Sequence, residues 1–206
     1  MKKILVIGAV ILVLLLVVAA VAVPLVLSGS MSGVQTTVEI GDTMPGFSLL
    51  DYNGNTHTLK QYSGKIVVLI FCSHKCPFSR GIDQDLASLE SRYSSDKVVF
   101  LGIDSHYDTS ADEIRQYAVG SGLPQPILLD PGNHYADAAG ALVTPDIFVI
   151  DKQGRLAYRG AFDNRMAPDG SGSRTYLADA LEALMTEIPL NPTHVPAWGC
   201  TIKRVK

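Results

Sequence analysis

The sequence is poor in cysteine and has no excess of positive charge. Its 206 residues include three cysteines, Cys72, Cys76 and Cys200, and no two of them have the Cys-x-x-Cys spacing of a dithiol active site. Lys and Arg number 17, against 20 Asp and Glu. The chain therefore lacks the basic surface of a nucleic-acid-binding protein, and we expect no nucleic-acid partner.

Long hydrophobic runs are also lacking, with one exception. Residues 4–27 carry no charge, are almost all apolar and follow Lys2 and Lys3. As a helix they would span about 36 Å, more than the roughly 30 Å of a bilayer core. We therefore predict that residues 1–30 form a membrane anchor or a signal segment, followed by a linker at residues 31–37.

The two lysines predict the side of the membrane. Positive charge stays cytoplasmic, so we expect a single-pass protein whose domain lies on the extracytoplasmic side, where cysteines can pair. The alternative is a secreted domain released by signal cleavage, for which Ala20-Val21-Ala22 offers a small-residue site.

The clearest chemical signal lies where a predicted strand meets a predicted helix. Ile66–Phe71 is a run typical of a buried strand, and Pro77 suits the first position of a helix. Cys76 would then lie at a helix N-terminus, where free amides favour negative charge. His74 and Lys75 add positive charge. These conditions favour a reactive thiolate, so we predict Cys76 as a nucleophile stabilised by His74 and Lys75.

Strands and helices alternate through the rest of the chain, which predicts an α/β fold with a central mixed β-sheet flanked by helices. We assign residues 38–187 to this domain and residues 188–206 to a Pro-rich C-terminal tail that carries Cys200. Strands are predicted at residues 47–51 (as an edge strand), 57–59, 66–71, 98–103, 127–129, 146–150 and 155–158. Helices are predicted directly after Cys76 and at residues 110–119, 135–141 and 176–186.

Three motifs carry a resemblance to a known family. Residues 40–49 resemble the opening of a redoxin domain, residues 71–77 occupy its active-site loop, and residues 143–151 resemble its loop with a cis-proline before a strand. The chain is thus similar to the thioredoxin-fold redoxins of the alkyl hydroperoxide reductase/thiol-specific antioxidant family and their peroxiredoxin-like relatives. The resemblance covers nearly all of residues 38–206 and implies a thioredoxin-like fold.

The resemblance implies a role for Cys76 but leaves its partner open. Cys76 aligns with the first cysteine of the thioredoxin Cys-x-x-Cys, and Ser79 stands at the second. A resolving thiol must then come from Cys72, from Cys200 or from another molecule. A cis bond at Thr144-Pro145 would orient the substrate, with backbone groups free to pair with a bound substrate strand.

The peroxiredoxin pattern Pro-x-x-x-Thr/Ser-x-x-Cys fits only in part. Counting back from Cys76, Ser73 takes the hydroxyl position, but Leu69 replaces the proline that shields the peroxidatic site. Arg80 and Arg159 are candidates for the arginine that polarises a peroxide, although neither stands where the peroxiredoxin arginine is expected.

The function that these observations favour is a membrane-tethered thiol oxidoreductase that uses Cys76 to reduce hydroperoxides or protein disulfides. We expect no cofactor, and a thiol reductant or a disulfide-bearing protein as partner. One alternative is copper binding, because Cys72-x-x-x-Cys76-Pro77 resembles the motif of Sco-type copper chaperones, for which His134 is the nearest added histidine. The other is a degenerate redoxin that binds partners without catalysis.

Overall fold

The structure, a computed structural model, describes residues 38–95 and 97–205. All of them belong to the unit Thr36–Lys206. The predicted anchor at residues 1–30, its apolar segment 4–27 and the linker at residues 31–37 lie outside the described residues. Within the described ranges, no helix combines the length and the apolar character needed to cross a membrane.

The described residues form strands at all the predicted positions and at three further ones. All six residues of Ile66–Phe71 are buried, as expected for a run of aliphatic residues in the centre of a sheet. The strands are β1 (Ser48–Asp51), β2 (Thr56–Thr58), β3 (Ile66–Phe71), β4 (Val98–Asp104), β5 (Ile127–Leu129), β6 (Val143–Thr144), β7 (Asp146–Ile150), β8 (Leu156–Gly160), β9 (His194–Val195) and β10 (Cys200–Thr201).

The main sheet is mixed, with strand order β2-β1-β5-β4-β3-β7-β8-β9, and β10 and β6 form a second, two-stranded sheet. Strand β3 is parallel to β4 and antiparallel to β7, with Phe71 opposite Asp146. The end of β3 therefore meets the start of β7. This register brings the loop after β3 close to the loop before β7.

The helices lie between these strands in the chain. Helix α3 starts with the capping box that the sequence predicts, because the Ser110 and Glu113 side chains each accept a hydrogen bond from the other's backbone amide. The helices are α1 (Pro77–Arg80), α2 (Asp83–Tyr93), α3 (Ala111–Ser121), α4 (His134–Ala139) and α5 (Tyr176–Thr186), with a 3-10 helix at Leu59–Tyr62.

The core consists of two layers, one on each face of the sheet. Alternate residues of β3 enter opposite layers, since side chains alternate along a strand. Phe71 packs in the layer that contains Tyr135 of α4 and Phe148 of β7. Ile70 packs in the layer that contains Leu86 of α2 and Leu181 of α5. The predicted α/β fold with a central mixed sheet is confirmed.

Two details of the prediction are wrong. Strand β1 is not an edge strand, because it lies between β2 and β5. The helix after Cys76 is not continuous, because it is broken between α1 and α2 at Gly81. A Cβ atom at Gly81 would lie 2.0 Å from the carbonyl oxygen of Pro168, so the loop between β8 and α5 packs directly on this break.

Candidate active site

Cys76 occupies the N-cap position of α1, with no capping hydrogen bond from its side chain, and Pro77 is the first residue of that helix, as the sequence predicts. Two hydrogen bonds to Ser73 close the turn before it. The Cys76 amide donates to the Ser73 carbonyl oxygen at 3.1 Å, and the Lys75 amide donates to the Ser73 side-chain Oγ at 3.2 Å. The thiol is therefore held in place by a fixed loop at the end of β3.

The Cys76 side chain is buried against the loop before β7. Cys76 is 1% exposed, and its Sγ donates a hydrogen bond to the Thr144 carbonyl oxygen at 3.0 Å. The Thr144-Pro145 peptide bond is cis, as the resemblance implies. The active-site loop and the cis-proline loop, far apart in the sequence, thus meet at one sulfur.

The neutral Cys76 thiol donates to the Thr144 carbonyl oxygen, but other contacts lower the pKa of Cys76. Burial alone would raise the pKa of Cys76, but hydrogen bonds from the Cys200 thiol, the Ser79 amide, the Thr144 side chain and the Cys200 amide outweigh it and lower the pKa. Hydrogen bonds to a charged form stabilise that form. Cys76 is therefore the one of the three cysteines whose pKa is lowered.

Cys200 lies in β10, directly opposite Thr144 of β6. Burial, the hydrogen bond to Cys76 and the negative charge of Cys76 raise the pKa of Cys200 to about 11, although the Phe78 amide acts in the opposite direction. The pKa of Cys76 is therefore lowered and that of Cys200 is raised, so Cys200 keeps its proton to a higher pH than Cys76 does.

The tail around Cys200 packs tightly on the cis-proline loop. A Cβ atom at Gly199 would lie 2.0 Å from the Thr144 carbonyl oxygen, so only glycine permits this approach. Trp198 packs edge-to-face on Phe78 with ring centroids 5.0 Å apart. These contacts hold Cys200 over Cys76 and close the site from solvent.

Cys72, the other predicted resolving candidate, lies in a different environment. It packs against the layer that contains Ile70 and against a small cluster around Ile114. Burial and the negative charges of Asp104 and Asp83 raise the pKa of Cys72 well above its ordinary value. A thiol held protonated in this way is a poor nucleophile.

The side chains of His74 and Lys75 lie close to carboxylates. His74 Nδ1 lies 3.8 Å from Asp104 Oδ2, and Lys75 Nζ lies 3.4 Å from Asp108 Oδ1 and 3.8 Å from Glu113 Oε1. The contacts that lower the pKa of Cys76 come instead from Cys200, Ser79 and Thr144. The role of His74 and Lys75 in stabilising the thiolate stays a prediction.

Comparison with known proteins gives the family. A model of the AhpC/TSA family matches residues 40–159, more than half of the chain. The chain belongs to the AhpC/TSA family. This membership confirms the predicted thioredoxin-fold redoxin and, with it, a thiol-dependent oxidoreductase.

The chain is also similar to individual proteins. The thiol-disulfide oxidoreductase ResA of Geobacillus thermodenitrificans (strain NG80-2) is 31% identical over 123 residues, which cover 59% of this chain and 69% of that protein. The chloroplastic peroxiredoxin Q of Triticum aestivum is 26% identical over 139 residues, which cover 64% of this chain and 62% of that protein. A crystal structure of a hypothetical protein from Sinorhizobium meliloti 1021 matches with a TM-score of 0.76 and 28% identity, covering 82% of this chain and 97% of that one.

This AhpC/TSA protein has a serine where thioredoxin has its second cysteine, and that serine supports the loop. Ser79 is 1% exposed, and its Oγ accepts a hydrogen bond from the Ser73 amide at 3.1 Å. Ser79 thus fixes the turn that leads to Cys76 and cannot itself resolve a disulfide.

The two arginines considered for peroxide chemistry have other contacts. Arg159 Nη2 donates to the Gly140 carbonyl oxygen at 2.6 Å and lies 3.3 Å from Asp146 Oδ2. Arg159 also lines a cavity of about 360 Å³, together with residues of the tail. Arg80 is exposed on α1. Neither is among the groups whose contacts most lower the pKa of Cys76.

The copper alternative gains no support from the part of the chain that the structure describes. Among residues 38–95 and 97–205, no three His, Cys, Asp or Glu side chains are grouped so as to hold a metal ion. His134 is exposed at the start of α4, and Cys72 and Cys76 lie in different surroundings.

The pairing of β10 with β6 is the part of the site that sequence reasoning missed. Each of these strands has two residues, too few to show the alternating pattern of a strand. The signal that could have found it is Gly199 before Cys200, because a glycine often marks a close approach of two backbones.

Proposed function

We propose that this protein is a thiol–disulfide oxidoreductase in which Cys76 attacks a substrate disulfide and Cys200 resolves the resulting mixed disulfide. The observation that carries the proposal is the pairing of Cys200 with Thr144, whose carbonyl oxygen accepts the hydrogen bond of the Cys76 thiol at 3.0 Å. The pKa of Cys76 is lowered and that of Cys200 is raised to about 11. The relative named thiol-disulfide oxidoreductase ResA supports this reaction class.

In the first step, the Cys76 thiolate forms a bond to one substrate sulfur, and the other substrate sulfur leaves as a thiolate that takes up a proton. The mixed disulfide no longer carries the negative charge on Cys76 that raises the pKa of Cys200. Cys200 can then lose its proton to solvent and attack Cys76.

In the second step, a Cys76–Cys200 disulfide forms and the second substrate thiol is released. The substrate disulfide has gained two electrons, and the two protein thiols have lost them. A thiol reductant must return these electrons before the next cycle, so the proposed partners are a thiol reductant and a disulfide-bearing protein.

A hydroperoxide is the less supported substrate. The same thiol pair could convert a Cys76 sulfenic acid into a disulfide, but Leu69 replaces the shielding proline. Arg80 and Arg159 are not among the groups whose contacts most lower the pKa of Cys76.

The proposal is tested by disulfide-reductase activity in three serine variants. Cys76→Ser should abolish turnover, and Cys200→Ser should accumulate a mixed disulfide on Cys76, because the second step is blocked. Cys72→Ser is the matched control and should keep its activity. Full activity in Cys76→Ser would overturn the proposal.

We propose further that the domain is tethered to a membrane and faces out of the cytoplasm. The uncharged residues 4–27 and the preceding Lys2 and Lys3 support this placement. Labelling of intact cells that express the full chain, with a thiol reagent that cannot cross membranes, tests it. The expected result is a labelled protein in the membrane fraction, and an unlabelled protein in the soluble fraction would contradict it.

A further inference from the structure

The turn before α4 carries a buried asparagine that the proposed reaction does not use. Asn133 is 2% exposed and has a positive φ of 59°, a backbone conformation in which asparagine is enriched among residues other than glycine. A buried polar side chain requires hydrogen-bond partners. Most of the partners of Asn133 lie in the tail that carries Cys200.

The carboxamide of Asn133 pairs with the backbone of the tail through both of its polar atoms. Its Nδ2 donates to the Lys203 carbonyl oxygen at 3.2 Å, and its Oδ1 accepts from the Val205 amide at 2.8 Å. The same Nδ2 also donates to the Ser105 carbonyl oxygen. One donor and one acceptor offered to residues two apart act as a residue of a neighbouring strand would.

The turn that presents this carboxamide is itself fixed. The Asn133 amide donates to the Asp130 carbonyl oxygen at 2.9 Å. The Asp130 carboxylate accepts a hydrogen bond from the Ser105 hydroxyl at 2.9 Å. It also accepts from the amides of Tyr135 at 3.2 Å and Ala136 at 3.0 Å, at the start of α4. The tail therefore pairs with a group whose own position is set by α4 and by the loop after β4.

Only a short stretch of chain separates this contact from the resolving thiol. Thr201 and Ile202 are the two residues between Cys200 and Lys203. Over that stretch β10 pairs with β6, and the Ile202 amide donates to the Leu142 carbonyl oxygen at 3.0 Å. A tail that slipped past the buried carboxamide would lose this pairing too, and Cys200 would move with it.

The ion pairs of the same part of the tail are more exposed. The side chains of Arg204 and Asp137 are 30% and 41% exposed, and those of Lys203 and Asp108 are 52% and 32% exposed. Exposed ion pairs contribute little to stability, whereas removal of a buried hydrogen-bonding group leaves its partners unsatisfied. Asn133 is therefore the side chain expected to hold the tail most firmly.

We propose that Asn133 is a positioning residue for the resolving thiol: its carboxamide fixes the tail in the register that keeps Cys200 beside Cys76. This inference rests on the proposed function. In the step concerned, a bond forms between the Cys200 and Cys76 sulfurs and the bond from Cys76 to the substrate sulfur breaks. Cys200 loses its proton to solvent, and the released substrate thiolate takes one up. Asn133 contacts neither sulfur; it raises the effective concentration of one thiol at the other.

The test is the equilibrium between the reduced protein and its Cys76–Cys200 disulfide in mixtures of reduced and oxidised glutathione. Asn133→Gly removes the carboxamide and introduces a residue that adopts a positive φ without strain. We expect the equilibrium constant for forming the disulfide to fall about tenfold, equivalent to ~1.4 kcal/mol. Peptide mass spectrometry after acid quench measures the linked fraction. Because equilibrium is approached from both the reduced and the oxidised protein, the route by which glutathione reaches the thiols does not matter.

Asn53→Gly is the matched control, since Asn53 is exposed in the turn between β1 and β2, and it should leave the equilibrium constant unchanged. A role of Asn133 in stability alone would lower the free energy of unfolding of both redox forms equally. An unchanged constant in Asn133→Gly would therefore overturn the inference. If the wild-type protein formed no Cys76–Cys200 disulfide at any glutathione ratio, the proposed function itself would fail, so the two failures are distinguishable.

A second measurement uses the wild-type protein and does not depend on whether Asn133→Gly folds. Coupling between two equilibria is reciprocal, so a contact that favours the disulfide tenfold must itself be favoured about tenfold by the disulfide. The Val205 amide, which donates to Asn133, should therefore exchange with solvent deuterium about tenfold more slowly in the disulfide form than in the reduced form. The Ser94 amide, which donates to the Glu90 carbonyl oxygen at the end of α2, is the reference and should exchange equally in both forms. Equal exchange at Val205 in the two forms would overturn the inference.

Discussion

Cys200 lies opposite Thr144 in the antiparallel pair of β6 and β10. Thr144 is also the residue whose carbonyl oxygen accepts the hydrogen bond of the Cys76 thiol. One backbone register therefore brings together two thiols that are remote in the sequence. The pKa of Cys76 is lowered and that of Cys200 is raised, which favours Cys76 as the attacking thiol.

The close approach of Gly199 to Thr144 predicts that this position tolerates no side chain. In Gly199→Ala the new Cβ atom would meet the Thr144 carbonyl oxygen, at 2.0 Å in the present geometry, and would push β10 away from β6. We expect a loss of about 1–3 kcal/mol in the free energy of unfolding, measured by denaturant titration, and slower formation of the Cys76–Cys200 disulfide.

Gly46→Ala is the matched control for that substitution. No heavy atom lies within 4 Å of a Cβ atom built at Gly46, so both stability and disulfide formation should remain close to wild type. Equal behaviour of the Gly199 and Gly46 variants would contradict the tight packing of the tail on Thr144.

The hydrogen bonds to Cys76 predict how its titration responds to Cys200. Burial raises the pKa of Cys76, and the Cys200 thiol is the first of the contacts that lower it again. Removal of that donor in Cys200→Ala should shift the pKa of Cys76 upward, so less thiolate is present at a given neutral pH. The thiolate absorbance in the ultraviolet, followed against pH, measures the shift.

Cys72→Ala serves as the reference for this titration. The pKa of Cys72 is already raised well above its ordinary value, so loss of this thiol should leave the thiolate signal near neutral pH unchanged. A Cys76 titration that is the same with and without Cys200 would show that the two thiols are not in contact.

Much of the fold could be predicted from the sequence, because the informative signals are local. The bounds of β3 follow from its aliphatic run, the start of α1 from Pro77, and the start of α3 from the capping box at Ser110. The cis bond before Pro145 is confirmed as well, although it came from the family resemblance and not from spacing.

The choice of the resolving thiol could not be predicted in the same way. Cys72 is four residues from Cys76 in the sequence and Cys200 is far away, so sequence distance favours Cys72, whereas the thiol we propose is Cys200. The structure places the Cys72 side chain among apolar residues beside β3. Cys200 lies near Cys76 because β10, a strand of two residues, pairs with β6. That pairing joins segments that are remote in the sequence, so the local sequence does not reveal it.

A buried carboxyl in α2 predicts a pH dependence of stability. Glu90 is 7% exposed, and burial raises its pKa from 4.5 to about 7. Between these values the folded state binds more protons than the unfolded state, so stability falls as pH rises from 4.5 to about 7. Glu90→Gln removes this proton uptake.

We therefore expect Glu90→Gln to be more stable than the wild type by about 2 kcal/mol at pH 8 and nearly equal to it below pH 4.5. Denaturant titrations across this pH range measure the difference. Asp169→Asn, at an exposed carboxylate, is the control and should leave the pH profile unchanged. A pH-independent difference between Glu90→Gln and wild type would contradict the raised pKa.

The most direct measurement is a map of the disulfide that forms when the reduced protein meets one equivalent of a disulfide oxidant. Peptide mass spectrometry under acid quench identifies the linked cysteines. The predicted result is a Cys76–Cys200 bridge with Cys72 left as a free thiol. A Cys72–Cys76 bridge, or a Cys76 that stays linked to the oxidant in the wild-type protein, would contradict the central role of Cys200.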